Sequence, residues 1–305
     1  MTMDLRKLRI FVTIAETGSF TQAASHLRVA QPVLSYHMTA LEQHLGVTLL
    51  TRNARGTAVT GSGRVFLTHA TNILKSLEEA EAATRKGDNS VSGDVVVGLL
   101  NSIAISLTVP LLRACQDKHP SVRVRLVEGN SQTLRAGIET GEYDLAINLA
   151  TVVREKIRPI AEEDFYLVGR PPHVTCSDDV PFRDLLAIPL ILPSTQHGLR
   201  MLVEWSALQI DAQIRPLLEV DGISSVKALV RDDFGATIFS RSSLQNDDLA
   251  RDLNARRIID PPIRRRLVLH QQTGRPTTRA VSEVGRIVLQ TIHDLASDGL
   301  WRHLD

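Results

Sequence analysis

Cysteine is nearly missing from this 305-residue chain, which has only Cys115 and Cys176. So few thiols rule out a disulfide-built scaffold and suit a reducing compartment. Two isolated packed thiols and a redox pair are both open readings of them. Long apolar runs are missing too: no stretch approaches the ~18 residues that a membrane span needs. Met1–Arg9 carries charge, but neither an apolar run nor a small-residue cleavage site follows, so an export signal is not expected. The expected location is the cytoplasm. Catalytic signatures are absent as well. There is no G-x-S-x-G, no P-loop and no G-x-G-x-x-G. The ten histidines never pair with cysteine or carboxylate at zinc spacing, so neither metal nor cofactor is expected. No enzyme is expected on these grounds.

What is present is ordinary globular composition, 43% hydrophobic and 23% charged. The length suits two or three domains. A formal net charge of +1 hides an asymmetry. Residues 1–70 hold seven Lys or Arg against three acids, a net of +4, which leaves −3 for the rest. A basic head on a mildly acidic body suits a polyanion-binding module joined to something else.

The first 46 residues read as three short helices. Leu5, Leu8, Phe11, Val12 and Ala15 recur at spacings of three and four until Gly18. Thr21–Leu27 forms a second helix, with Ser19 and Thr21 both suited to cap it. After a turn at Arg28–Ala30, Pro32 begins a third, where its missing N–H costs nothing. Leu34, Met38, Leu41 and Leu45 make one apolar stripe on it. Gln31, Ser35, Tyr36, Thr39 and Gln43 occupy the other side, with His37 near the edge. A β-hairpin wing is expected over Val47–Thr60, from Thr48–Leu50 and Ala58–Thr60, carrying Arg52, Arg55 and Gly56.

Such a pair of short helices, the second polar on one side, is what reading the major groove demands. The candidate DNA contacts are Thr21, Gln31, Pro32, Ser35, Tyr36 and Thr39, with Arg52 and Arg55 on backbone phosphate or in the minor groove. A merely solvated helix face and an ordinary charged loop would carry the same residues.

From Ser62 to about Lys86 a further helix carries Phe66, Ala70, Ile73, Leu77, Ala80 and Thr84 at alternating spacings of four and three, a heptad seam. The seam suits pairing with a second subunit, and packing on the chain's own body is the alternative. Gly87–Ser90 reads as a hinge. Strands and helices then alternate: Val95–Leu100, a helix Ile103–Lys118 that Pro110 is expected to kink or restart, Val122–Val127, Gln132–Thr140 and Leu145–Leu149. A second group comprises Phe165–Val168, Leu190–Leu192, Leu199–Leu208, Leu217–Val220, Ser224–Arg231 and Ala236–Phe239. Leu267–His270 and a helix near Thr278–Leu295 finish the chain. Two β-α-β groups imply two α/β subdomains with a cleft between them. The expected division is a head at 1–61, a linker helix and hinge at 62–90, and a body at 91–305. Within the body, one subdomain covers about 91–163 and 268–305, the other about 164–267.

The head resembles LysR-type transcriptional regulators. Phe11, Ser19-Phe20, Ala23-Ala24, Leu27, Gln31-Pro32, Leu34-Ser35, Leu41-Glu42, Leu45-Gly46, Leu49, Arg52, Arg55-Gly56, Thr60 and Gly63 carry the likeness in order and spacing. Leu50 departs from it, standing where phenylalanine is usual. In the body, His119-Pro120, Gly141, Asp144-Leu145-Ala146, Pro189 and Gly235 fit the same family. Pro193-Ser194 with His197-Gly198-Leu199-Arg200 is similar to the subgroup of the nitrogen assimilation control regulator. The resemblance implies a winged helix-turn-helix on a body like type 2 periplasmic binding proteins. It further implies a small-molecule effector between the subdomains, and homodimers or homotetramers on an interrupted inverted repeat in duplex DNA. Regulation through DNA bend and RNA polymerase contact is the mechanism expected.

Asn101 and Ser102, Asn148, Ser194 and Thr195, and Gly222 and Ile223 lie at carboxyl ends of expected strands, where open α/β sheets bind ligands. Hydroxyls and amides at helix starts suit a small anion, although the same residues also serve simply as caps. Residues 251–279 hold eight Arg and two Asp, including Arg264-Arg265-Arg266; they could attract an anionic effector or DNA, but are read first as a solvated strand flank. A solute-binding protein would need an export signal, and a nucleoid-architecture protein would not need so large an α/β body.

Overall fold

A computed structural model describes residues 3–53, 56–84, 91–150, 158–175, 179–245, 253–273 and 277–302. The chain divides into two compact units, one built mainly on residues 1–89 and the other on most of the remainder. The hinge expected at Gly87–Ser90 lies outside the described residues, as does Cys176.

In the first unit, helix α1 (Leu5–Thr17) starts at Asp4, whose Oδ1 accepts the Lys7 N–H at 2.8 Å, and stops at Gly18 with φ 64°. Helix α2 (Phe20–Leu27) is capped by extended Ser19, whose hydroxyl accepts the Gln22 N–H. Thr21 is therefore an exposed first-turn residue and not the cap, because Ser19 already occupies that position. Helix α3 runs Gln31–Leu45 with proline in its first turn. Leu8, Phe11 and Ile14 of α1, Ala23 and Ala24 of α2, and Leu34, Met38 and Leu41 of α3 share one core. Each large side chain buried there contributes about 1.5–3 kcal/mol.

Strands β1 (Leu50–Asn53) and β2 (Gly56–Val59) form the wing, shifted a few residues toward its tip from the extended pieces expected. Leu50 closes the wing base from within the core, 8% exposed. Helix α4 (Gly61–Thr84) follows. Gly63 lies so close to β1 that a Cβ there would sit 2.1 Å from the Leu49 carbonyl oxygen, so only glycine lets α4 approach.

The second unit opens with β3 (Gly93–Leu100), α5 (Asn101–Lys118), β4 (Val122–Gly129), α6 (Ser131–Thr140) and β5 (Leu145–Leu149). Helix α5 continues through Pro110 without the restart that was one expectation, with buried Leu107 and Leu111 packing on either side of the proline. After β6 (Ala161–Gly169) come the short β7 (Val180–Pro181), a 3-10 turn at Phe182–Ala187, β8 (Leu190–Leu192), α7 (Gly198–Leu208), β9 (Leu218–Glu219) and α8 (Ile223–Arg231). β10 (Ala236–Ser240), α9 (Arg241–Leu244), β11 (Asn254–Ile259), β12 (Arg264–Gln271) and α10 (Arg279–Ser297) complete it. The strands join in the order β4-β3-β5-β12-β6-β10-β8-β9, with β11 on β6.

Parallel pairing holds within β3-β4-β5 and within β10-β8-β9, while β6 and β12 run antiparallel to their neighbours. One core packs α5 and α10 on the first parallel group, and a separate pair of cores flanks the second. β6 and β12 are thus the strands through which the two subdomains join, and the subdomain limits expected at 163/164 and 267/268 fall inside them.

Where they join, charge is in register. Arg264, Arg265 and Arg266 on β12 stand opposite Asp164, Glu163 and Glu162 on β6, and each opposed pair makes an ion pair. This corrects the reading of the arginine run as a solvated flank at Arg265, which is buried, whereas Arg264 and Arg266 keep 43 and 62% of the side chain exposed while pairing with an acidic run 100 residues earlier in sequence.

Candidate functional site

The polar side of α3 faces solvent while the apolar side is held. Leu34 and Leu41 are fully buried and Met38 is 3% exposed, whereas Tyr36 is 62% exposed. Pro32 and Thr39 are exposed, and Gln31 and Ser35 are half-buried. The Gln31 amide donates to the Ser35 hydroxyl at 2.9 Å, so these two side chains are ordered together one turn apart. Thr21 is exposed on α2. Arg52 lies on β1, and Arg55 falls outside the described residues.

Glu42 escaped sequence reasoning as a functional residue. Its Oε1 accepts the Leu49 and Leu50 N–H groups at 2.7 and 3.1 Å, fixing the wing to α3. The Thr57 N–H donates to the Gly18 carbonyl at 2.8 Å and ties the other wing strand to the end of α1. The wing base is therefore tied to both α3 and the end of α1.

The seam on α4 is divided. Ala70 is fully buried in the head's own core, and the Phe66 ring packs on Phe11 at 5.3 Å between centroids. Both belong to the head, correcting their assignment to a subunit contact, since α1 supplies the apolar partner that the sequence pattern left unassigned. Ile73 is 45% exposed, Ala80 is exposed and Leu77 is half-buried, so that end of the seam stays available.

In the second unit a cavity of about 720 Å³, open mouth included, lies between the two subdomains. Asn101 and Ser102 begin α5, Ser131 begins α6, Gly198 and Leu199 begin α7, and Ile223 begins α8; all of them line it. Four helix N-termini, each bringing the positive end of a helix dipole, therefore converge on one space. They are not equivalent. Asn130 Oδ1 accepts the Gln132 and Thr133 N–H groups at the start of α6, and His197 Nδ1 accepts the Leu199 N–H at the start of α7. Leu100 and Gly222, which precede α5 and α8, provide no side-chain cap. The two helices with open N–H groups come from opposite subdomains.

Several expected ligand contacts do other work. Asn148 is 1% exposed; its amide donates to the Ser131 carbonyl and its Oδ1 accepts the Leu149 N–H, so it braces the α6 start from behind the cavity wall. Ser194 does not line the cavity, because both its N–H and its hydroxyl donate to Asp221 Oδ1 at 2.9 Å. Thr195 is exposed beside it and Gly222 is the backbone cap position of α8; neither lines the space. Asn101, Ser102 and Ile223 do, the first two as the opening residues of α5 instead of the loop before it.

His197, Asp221 and Ser243 in the lining are not expected from the sequence, while Arg265, also there, belongs to the arginine run that could attract an anionic effector. Burial pushes the His197 imidazole below its ordinary pKa, with Asp221 opposing and Arg265 adding to the shift. Hydrogen bonds from the Ser194 backbone and side chain hold the Asp221 carboxyl below its ordinary range. Arg265 lies over the Phe165 ring, 5.1 Å from its centroid, and binds Glu163 through Nε at 2.7 Å and Nη2 at 2.5 Å.

Comparison with known proteins decides what this pair of units is. Residues 5–64 match the bacterial regulatory helix-turn-helix protein family of lysR type, and residues 88–292 match the LysR substrate binding domain. The chain belongs to the LysR family of transcriptional regulators. It is a DNA-binding regulator with a substrate-binding domain, and its family and relatives are regulators, not enzymes.

The nitrogen assimilation regulatory protein nac of Klebsiella aerogenes is 32% identical over 254 residues, 80% of each chain, and nac of Escherichia coli (strain K12) is 30% identical over 249. These relatives support the subgroup likeness read from Pro193–Arg200. Full-length OxyR from Pseudomonas aeruginosa, solved as a variant with one cysteine changed to aspartate, shares the fold with a TM-score of 0.74 at 20% identity, covering 96% of this chain and 95% of that one. Full-length CbnR complexed with its target DNA superposes with a TM-score of 0.65 at 23% identity, covering 95% of this chain and all of that one. No helix among the described residues is long and apolar enough to cross a membrane.

Proposed function

We propose that this cytoplasmic LysR-family regulator binds an interrupted inverted repeat through α3 and the wing, and that a small anionic effector in the cavity controls its action. The observation that carries the effector assignment is the pair of uncapped helix starts, at Asn101–Ser102 and Ile223, facing one space from opposite subdomains. Open N–H groups at helix N-termini are ready anion donors. A ligand that bridges them binds the closed arrangement of the subdomains better than an open one, and that difference shifts the equilibrium between them. Altered spacing of the DNA-binding heads would follow, changing DNA bend and contact with RNA polymerase.

Thr21, Gln31, Pro32, Ser35, Tyr36 and Thr39 are proposed to meet the major groove, and Arg52 and Arg55 the phosphates or minor groove. Exposure of the polar α3 surface over a buried apolar one supports this. Homo-oligomerisation is supported by an uncovered apolar stripe on α7, where Met201, Trp205 and Leu208 are 53, 63 and 70% exposed and Leu217 beside them is 57%. Patches of this kind mark protein contacts. The exposed end of the α4 seam, at Ile73, Leu77 and Ala80, supports a second contact between copies.

Footprinting with and without a bound carboxylate tests the proposal. A changed footprint or bend is expected, and an identical footprint at saturating ligand would remove effector control.

A further inference from the structure

Two charged residues of the cavity have atoms that no other described residue uses. The Arg265 side chain is only 8% exposed and its charge is matched by Glu163, while Nη2 also reaches the Ser240 hydroxyl at 3.4 Å. Its Nη1 has no partner among the described residues, so a buried cation, already neutralised, still offers N–H groups to the cavity that it lines. Asp221 is the reverse, an exposed carboxylate at the mouth. Both Ser194 donors go to its Oδ1, and Oδ2 receives no hydrogen bond from a described residue.

That carboxylate is out of place for a purely anionic ligand. It stands two residues before α8, beside one of the uncapped helix starts, where it would repel the anion those N–H groups attract. A ligand with a positive group next to its acidic group resolves the conflict. We infer that the effector is an α-amino acid, with its carboxylate on the open helix starts and the Nη1 of Arg265, and its ammonium on Asp221. One carbon separates the two groups of such a ligand, and Asp221 stands two residues before the start of α8. This inference rests on the cavity being the effector site. Arg265 fits the role because its own charge is cancelled: it supplies direction to the carboxylate without making the site cationic enough to favour dianions.

Isothermal titration of the full chain with the twenty common L-amino acids and with the corresponding acids lacking the amino group tests it. At least one amino acid is expected to bind about tenfold or more tightly than its deaminated counterpart, the size of one charge-assisted contact. Asp221→Asn should bring the two affinities close together without lowering the melting temperature, and Asp221→Glu should retain part of the preference. If deaminated acids bind as well as or better than the amino acids, the inference is overturned while the cavity remains an anion site. If neither set binds and neither alters the footprint, the cavity reading falls with it.

Discussion

Glu163 and Arg265 face each other across the two strands that join the subdomains, 1 and 8% exposed at the side chain, and form an ion pair in which Nε and Nη2 both meet Glu163 Oε2 while the Ser242 N–H and the Trp301 indole N–H donate to Oε1. A buried pair of this kind is costly to break on one side, because the surviving charge is left without a partner. Glu163→Gln is therefore expected to destabilise the second unit by about 3–5 kcal/mol, whereas Glu163→Leu with Arg265→Met should cost much less. Arg266, 62% exposed in the same ladder, should lose under about 1 kcal/mol on change to alanine. Urea denaturation followed by far-UV circular dichroism distinguishes the three.

The wing's position hangs on one carboxylate. Glu42→Ala leaves the Leu49 and Leu50 N–H groups without their acceptor at the base of β1. A loss of about 1–3 kcal/mol in head stability is expected, together with weaker binding to specific and random DNA alike. Glu42→Gln keeps an acceptor oxygen and should fall between. Gel shifts alongside thermal melts check both effects.

Direct and indirect contacts should separate by salt. Ser35→Ala alters a half-buried side chain on the polar side of α3 that Gln31 holds in place, and is expected to change sequence preference. Arg52→Ala should weaken all sites about equally and reduce the salt slope by about one. Equal effects of both changes on specific and random duplexes would contradict the division of roles.

His197 gives the cavity a pH dependence whose sign is fixed. Burial holds the folded imidazole below the ordinary value of 6.5. As pH falls past that value the unfolded chain takes up a proton and the folded one does not, so stability is complete above it and declines toward the folded pKa. Protonation would also remove the Nδ1 acceptor for the Leu199 N–H at the start of α7. His197→Asn keeps a capping acceptor and cannot titrate. Between about pH 7 and about pH 5.5 the variant is expected to lose less stability than the parent, as read from melting temperatures.

The head is legible in sequence because its signals are local. Gly18 and Gly46 end helices, Ser19 begins one, and the apolar stripe of α3 emerges from simple spacing. The α4 seam misleads at Ala70, since periodicity says that a face is buried but not against what. In the body, β5 and β8 stand where their apolar runs place them, but the cavity is only half visible. Asn101, Ser102 and Ile223 follow from being at strand ends, whereas Arg265 depends on a pairing distant in sequence and Asp221, although just past β9, is a carboxylate that an anion site does not call for. The sequence does hold one signal for the first: the run Glu162-Glu163-Asp164 complements Arg264-Arg265-Arg266, and antiparallel register places them face to face. Asn148 departs from its expected role because strand alternation sends its side chain behind the wall, where it caps backbone groups.

The most direct test of the regulator assignment is to sequence genomic DNA retained by the purified protein and by a Gln31→Ala, Ser35→Ala, Thr39→Ala variant whose melting temperature matches the parent. The parent is expected to enrich an interrupted inverted repeat, and the variant to retain DNA without it. Enrichment of the same repeat by both proteins would contradict a reading role for the exposed side of α3.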